Sequence, residues 1–162
     1  MPKRRVRIEQ KNWENIGLRR IESKPRDPQW FATKIAGIKR RRKKLAHEHT
    51  GFGAKYRSAL DRLSQMKRDN ASFQQLFGNA VELQEERYRI QLLMSRLENA
   101  QQTILIASAK NNKNVPDSKT LLALEKGSEH INLRINEIQS LLTHPKKIED
   151  EIWKKVRARM RN

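Results

Sequence analysis

Between Asn79 and Lys110 the chain has neither proline nor glycine, and apolar residues recur seven apart at Leu83, Ile90, Leu97 and Ile104. A second row runs Leu93, Ala100 and Ala107, broken near its start by Glu86. This alternating three–four spacing is the seam of a helix that lies along another helix. The polar run 111–118, which contains Pro116, then interrupts, with Asp117 or Ser118 placed to cap a second helix. The next stretch repeats the pattern: Leu121, Leu124, Ser128, Ile131, Ile135, Ile138 and Leu142, up to His144-Pro145. Pro145 disfavours helix at the residue before it. Two such helices joined by a short polar turn predict an antiparallel hairpin over 71–144. Their seams are expected to bury against each other, or in part against another chain. Gly127 either weakens the second helix by about 1 kcal/mol or marks a close approach.

A final helix is expected over 145–162. Ile148, Ile152, Val156 and Met160 form its apolar stripe, with Trp153 beside it. Lys154, Lys155, Arg157, Arg159 and Arg161 crowd its end, where they either complement the helix dipole or make a second contact with an anion.

Ahead of the hairpin the chain changes character. Residues 1–70 carry 21 Lys and Arg against 7 Asp and Glu, whereas residues 71–110 carry 4 of each. The whole chain of 162 residues has a formal charge of +18. Such an excess repels itself unless a polyanion lies beside it. Hydrophobic residues make up 36% and charged residues 33% of the chain. That is little apolar material to offset chain entropy in a compact globule. An all-α, elongated architecture that gains stability from a partner is the expectation.

Residues 1–26 read as a basic, partly extended arm. Arg4, Arg5, Arg7, Arg19 and Arg20 lie between isolated apolar residues that include Trp13. A purely disordered basic tail has no need of that tryptophan; a segment lying along a partner does. Residues 27–70 read as a helix–turn–helical segment. Asp27-Pro28 starts it well, and Phe31, Ile35, Ile38 and Leu45 mark an apolar face that Arg42 interrupts. Gly51 and Gly53 are predicted to end the first helix. Tyr56, Leu60, Leu63 and Met66 then form a second, shorter one.

Lys39, Arg40, Arg41, Arg42, Lys43 and Lys44 are consecutive and cover more than one helical turn. In water such a turn is destabilised by like charges at i,i+4; beside phosphates it is stabilised. Lys55, Tyr56 and Arg57 come after Gly51-Phe52-Gly53, and basic residues interleaved with aromatics suit phosphate pairing with base stacking. The same run also reads as a nuclear import signal. His47 and His49 point about 200° apart on a helix, so they would not chelate one ion, and no metal or other cofactor is expected. The three acids Glu149, Asp150 and Glu151 read as surface partners of nearby lysines. The chain has no phosphate-cradling glycine loop, no nucleophile elbow and no cysteine.

The expectation is therefore a non-enzymatic nucleic-acid-binding structural or assembly protein, with structured RNA in a large ribonucleoprotein as the favoured partner. The nucleic-acid contacts are assigned to the five arm arginines, to Lys39 through Lys44, and to Lys55, Tyr56 and Arg57. Trp13, Trp30 and Trp153 are expected to dock other proteins of the complex, alongside the hairpin. One alternative is a DNA-binding replication, packaging or nucleoid factor, because phosphate contacts carry no sequence information. Another is a coiled-coil scaffold whose basic end binds acidic protein or anionic lipid. No apolar run reaches the ~18–20 residues that span a bilayer, and the N-terminus lacks the apolar core of a secretory signal. An intracellular location is the resulting expectation, with nucleus, nucleolus and bacterial cytoplasm equally compatible.

Overall fold

The computed structural model describes residues 28–111 and 118–161, which form four α-helices and, among the described residues, no strand. They are α1 (Pro28–Gln65), α2 (Ala71–Asn111), α3 (Ser118–Thr143) and α4 (Pro145–Met160). The expected arm over 1–26, with Trp13 and its five arginines, lies outside the described residues.

The expected break at Gly51 and Gly53 is not there. α1 runs unbroken through both glycines for 38 residues. Phe31, Ile38, Leu45, Phe52 and Ala59 are seven apart, interleaved with Ile35, Arg42, His49, Tyr56 and Leu63. The seam thus continues on both sides of the glycines. Burying it outweighs the roughly 1 kcal/mol that each glycine costs a helix interior. A Cβ at Gly53 would sit 3.6 Å from Arg57 Nη1 and Arg87 Nε, an ordinary packing distance, so the site does not demand glycine.

After a short turn at residues 66–70 the chain reverses. Asn70 caps α2, its Oδ1 accepting from Ser72 N at 3.0 Å. The two helices run antiparallel, as the cross-contacts fix: Arg42 reaches Gln101, whereas Tyr56 meets Arg87.

The seam of α2 is paired differently from the sequence-based expectation. Ile90, Leu93, Leu97, Ile104, Ala100 and Ala107 pack on Phe31, Ile35, Ile38, Leu45 and Phe52 of α1, not on α3. α3 does return antiparallel along α2, but over a more polar surface. Ser128 Oγ donates to Asn99 Oδ1 at 2.9 Å, and Gln102 Nε2 donates to the Leu124 carbonyl at 3.1 Å. Ile131 and Ile138 of its apolar stripe are buried. Gly127 marks a close approach, since a Cβ there would fall 2.6 Å from Gln102 Nε2.

His144 and Pro145 separate α3 from α4, with Pro145 in the first turn of α4. α4 lays Ile148, Ile152 and Val156 against both α1 and α2, next to Tyr56, Leu60, Leu63, Phe73 and Phe77. Each such side chain contributes about 1.5–3 kcal/mol on full burial. Four helices thus meet as a long hairpin of α1 and α2, flanked by α3 and closed at the turn end by α4. No helix among the described residues is long and apolar enough to cross a membrane.

Candidate nucleic-acid interface

A helix with one buried face must turn its other residues outward, and α1 turns out mostly cations. Its 38 residues contain ten Lys and Arg but only Glu48 and Asp61 as acids. Arg40, Lys43, Lys44 and His47 fit the i, i+3, i+4, i+7 spacing of a single face. With Ala46 and Thr50 they line a shallow open groove. Gly51, Ala54, Lys55, Ser58 and Arg62 continue that exposed face toward the turn. Lys39 and Arg57 flank it and are also exposed. None of Lys39, Arg40, Lys43, Lys44, Lys55, Arg57 or Arg62 makes an ion pair among the described residues.

The six-residue basic run does not act as a unit. A helix advances 100° per residue, so Arg42 falls in the α1–α2 seam. Its Nη1 donates to Gln101 Oε1 at 3.1 Å, and its Nη2 lies 3.9 Å from Glu98 Oε2. Glu98 also holds Arg134 of α3 at 3.1 Å, so one carboxylate ties three helices. Arg41 is half-buried as well. The outward set within the run is Lys39, Arg40, Lys43 and Lys44.

Tyr56 is not available to stack on a base, because only 1% of its surface is exposed. Two cations lie against its ring, Arg87 at 5.2 Å from the centroid and Lys155 at 5.4 Å. Its hydroxyl is buried without a hydrogen-bond partner. Burial, reinforced by the Glu151 carboxylate, pushes its pKa up to about 12. Glu151 is the centre of this junction: it accepts from Tyr88 Oη at 2.6 Å, Gln84 Nε2 at 3.0 Å and Lys155 Nζ at 3.1 Å. Burial and that short hydrogen bond raise the Tyr88 pKa too. Glu151 thus pairs with a nearby lysine as expected and, beyond that, closes a part-buried network between α2 and α4.

Of the tryptophans expected to dock partners, Trp30 and Trp153 are engaged within the chain. Trp30 packs on the α1–α2 core, edge-on to Phe31 at 5.2 Å. Trp153 lies 5.5 Å from Phe73 and 5.0 Å from Phe77, with the Arg68 guanidinium 4.8 Å from its ring. Phe52 is half-buried on the same core as Trp30.

His47 and His49 lie on different sides of α1, as their spacing predicts. His47 lies on the outward face beside Lys43 and Lys44, whereas His49 sits in the seam with its Nε2 2.9 Å from Gln91 Nε2. Burial and then the Arg87 charge lower the His49 pKa.

Sequence reasoning missed Arg62, which extends the exposed face. The helical periodicity carries that signal once α1 is read through its glycines. No known protein family, curated protein or solved structure matches this chain.

Proposed function

We propose that the chain is a non-enzymatic nucleic-acid-binding protein whose outward α1 face grips phosphates. Structured RNA within a large ribonucleoprotein is the proposed partner, inside the cell. The observation that carries this reading is the row of exposed cations on α1, which meet no carboxylate among the described residues. Cations left without counter-charge on a rigid surface attract a polyanion and release its counterions on binding.

The chemistry of the face favours backbone over bases. Lys, Arg, His, Ser, Thr, Ala and Gly occupy it, with no exposed aromatic and none of the Asn or Gln that pair with adenine edges. Recognition by shape and phosphate is the usual mode for double-helical RNA. Leu122 and Leu133, 52% and 60% exposed on one stripe of α3, offer the contact to other proteins of the complex.

The test compares the wild-type chain with a Lys39→Gln, Arg40→Gln, Lys43→Gln, Lys44→Gln variant on a folded RNA hairpin, with duplex DNA as competitor. The variant binds more weakly, and its plot of log affinity against log salt flattens by about 0.7–0.9 for each phosphate it no longer neutralises. An unchanged slope sinks the assignment. Stronger competition by duplex DNA moves the proposal to the chromosome-side reading.

A further inference from the structure

We infer that the outer face of α4 is a second phosphate-contact surface, continuous with the α1 face, and that a bound nucleic acid runs across both. The inference rests on the nucleic-acid reading of α1 above.

Its first support is the division of labour among the α4 cations. Ile148, Ile152 and Val156 define the inward side. Lys155 turns inward to Glu151 at 3.1 Å, and Arg159 Nε binds Asp61 Oδ1 of α1 at 2.9 Å. Lys147, Lys154 and Arg161 are seven apart, which places them on one side of a helix, and Arg157 lies beside them. All four are exposed and form no ion pair among the described residues. Asp150 is the acid that shares this side.

The second support is that fold stability does not require these cations. A helix N-terminus carries partial positive charge, and acids there are favourable while cations are not. The first turn of α4 has no acid and does have Lys146 and Lys147. Dipole complementarity accounts for Arg157 and Arg161 near the C-terminus; it does not account for Lys147 or Lys154.

The third is where α4 docks. The Arg159–Asp61 bridge joins residues 98 apart in sequence and sets a basic helix beside the basic face of α1. Asp61 lies one turn beyond Arg57 and next to Arg62. Two like-charged helices held side by side repel each other in water, and a phosphate backbone lying over the junction relieves that repulsion.

The experiment uses the full chain with Lys147→Gln, Lys154→Gln, Arg157→Gln and Arg161→Gln, on the RNA hairpin used for the α1 variant. All four side chains are exposed, so a melting temperature no lower than that of the wild type is expected and confirms folding. The salt slope is expected to flatten by about 0.7–0.9 per phosphate released, and the effect is expected to add to that of the α1 variant. If the α1 variant flattens the slope and the α4 variant does not, this inference is overturned while the nucleic-acid reading stands. If the α4 variant alone flattens it, the contact surface is α4 and the continuity with α1 is overturned. If the wild-type chain binds neither RNA nor DNA, both proposals fall. Loss of binding to phosphatidylserine vesicles with RNA binding intact would reassign the face to a lipid surface and overturn the inference.

Discussion

The two ends of the α1–α2 hairpin are built on one continuous seam yet are stabilised differently. At the turn end, α4 makes a third wall, and Tyr56, Leu63, Phe73, Ile148, Ile152 and Val156 are each exposed by no more than 1%. At the far end α1 packs mainly on α2, touching α3 through the Glu98 carboxylate that Arg42 and Arg134 share, and its seam admits Arg42 and His49. The closed end gathers the polar groups of α2 and α4 around Glu151, while the buried Glu86 pairs with Arg89 on α2. The far end turns its cations outward. A helix packed along one face is free to offer its outward face to a partner, which is what a binding surface needs.

The two ends should separate most clearly on substitution of Ile152, which is fully buried where α4 meets the hairpin. Ile152→Asp places an unpaired carboxylate in that core and is expected to destabilise by on the order of 4 kcal/mol. Hydrogen exchange should then rise in α4 and around residues 56–80, with protection over 90–104 retained. Equal loss of protection at both ends would show a single cooperative unit and erase the distinction.

A smaller effect distinguishes neighbours within the basic run. Arg42→Gln removes the contacts to Gln101 and Glu98 and should cost about 1 kcal/mol in urea unfolding, with the RNA salt slope unchanged. Lys43→Gln should do the reverse. If Arg42→Gln flattens the slope as Lys43→Gln does, Arg42 is not confined to the seam.

The smallest effect expected is a pH dependence at His49. Its pKa is lowered in the folded chain by burial and by Arg87, so the unfolded chain binds the proton more tightly. Stability from this group is complete above the ordinary imidazole value of 6.5 and is lost as pH falls below it. Urea midpoints at about pH 7 and about pH 5.5 should differ more for the wild type than for His49→Gln. Equal differences would remove His49 as the cause.

The seven-residue repeats of α2 and α3 made both helices and their antiparallel return legible in the sequence, as did the stop at His144-Pro145. The partner of the α2 seam was not legible. Arg42 and His49 occupy core-facing positions of α1 and hid its repeat, and their partners Glu98, Gln101 and Gln91 lie 42–59 residues away. Local pattern carries no sign of such distant compensation. Gly51 and Gly53 looked like terminators because their cost is local, whereas the burial that overrides it is tertiary. The α2–α3 contact was hidden on its α2 side for another reason: Asn99 and Gln102 are polar, and their hydrogen bonds to Ser128 and Leu124 replace an apolar seam. In the candidate interface, net charge identified the helix, but only its rotation separates Arg42 and Tyr56 from the outward cations.

The unbroken passage of α1 through Gly51 and Gly53 has a mechanical consequence. A turn there would have left the cations before and after it free to swivel, with their ordering left to the moment of binding. In a single helix the span from Arg40 to Arg62 is set at about 33 Å, from a rise of ~1.5 Å per residue. The chain acts as a ruler whose marks are in place before any partner arrives. Much of the ordering entropy that association normally demands has already been spent in folding.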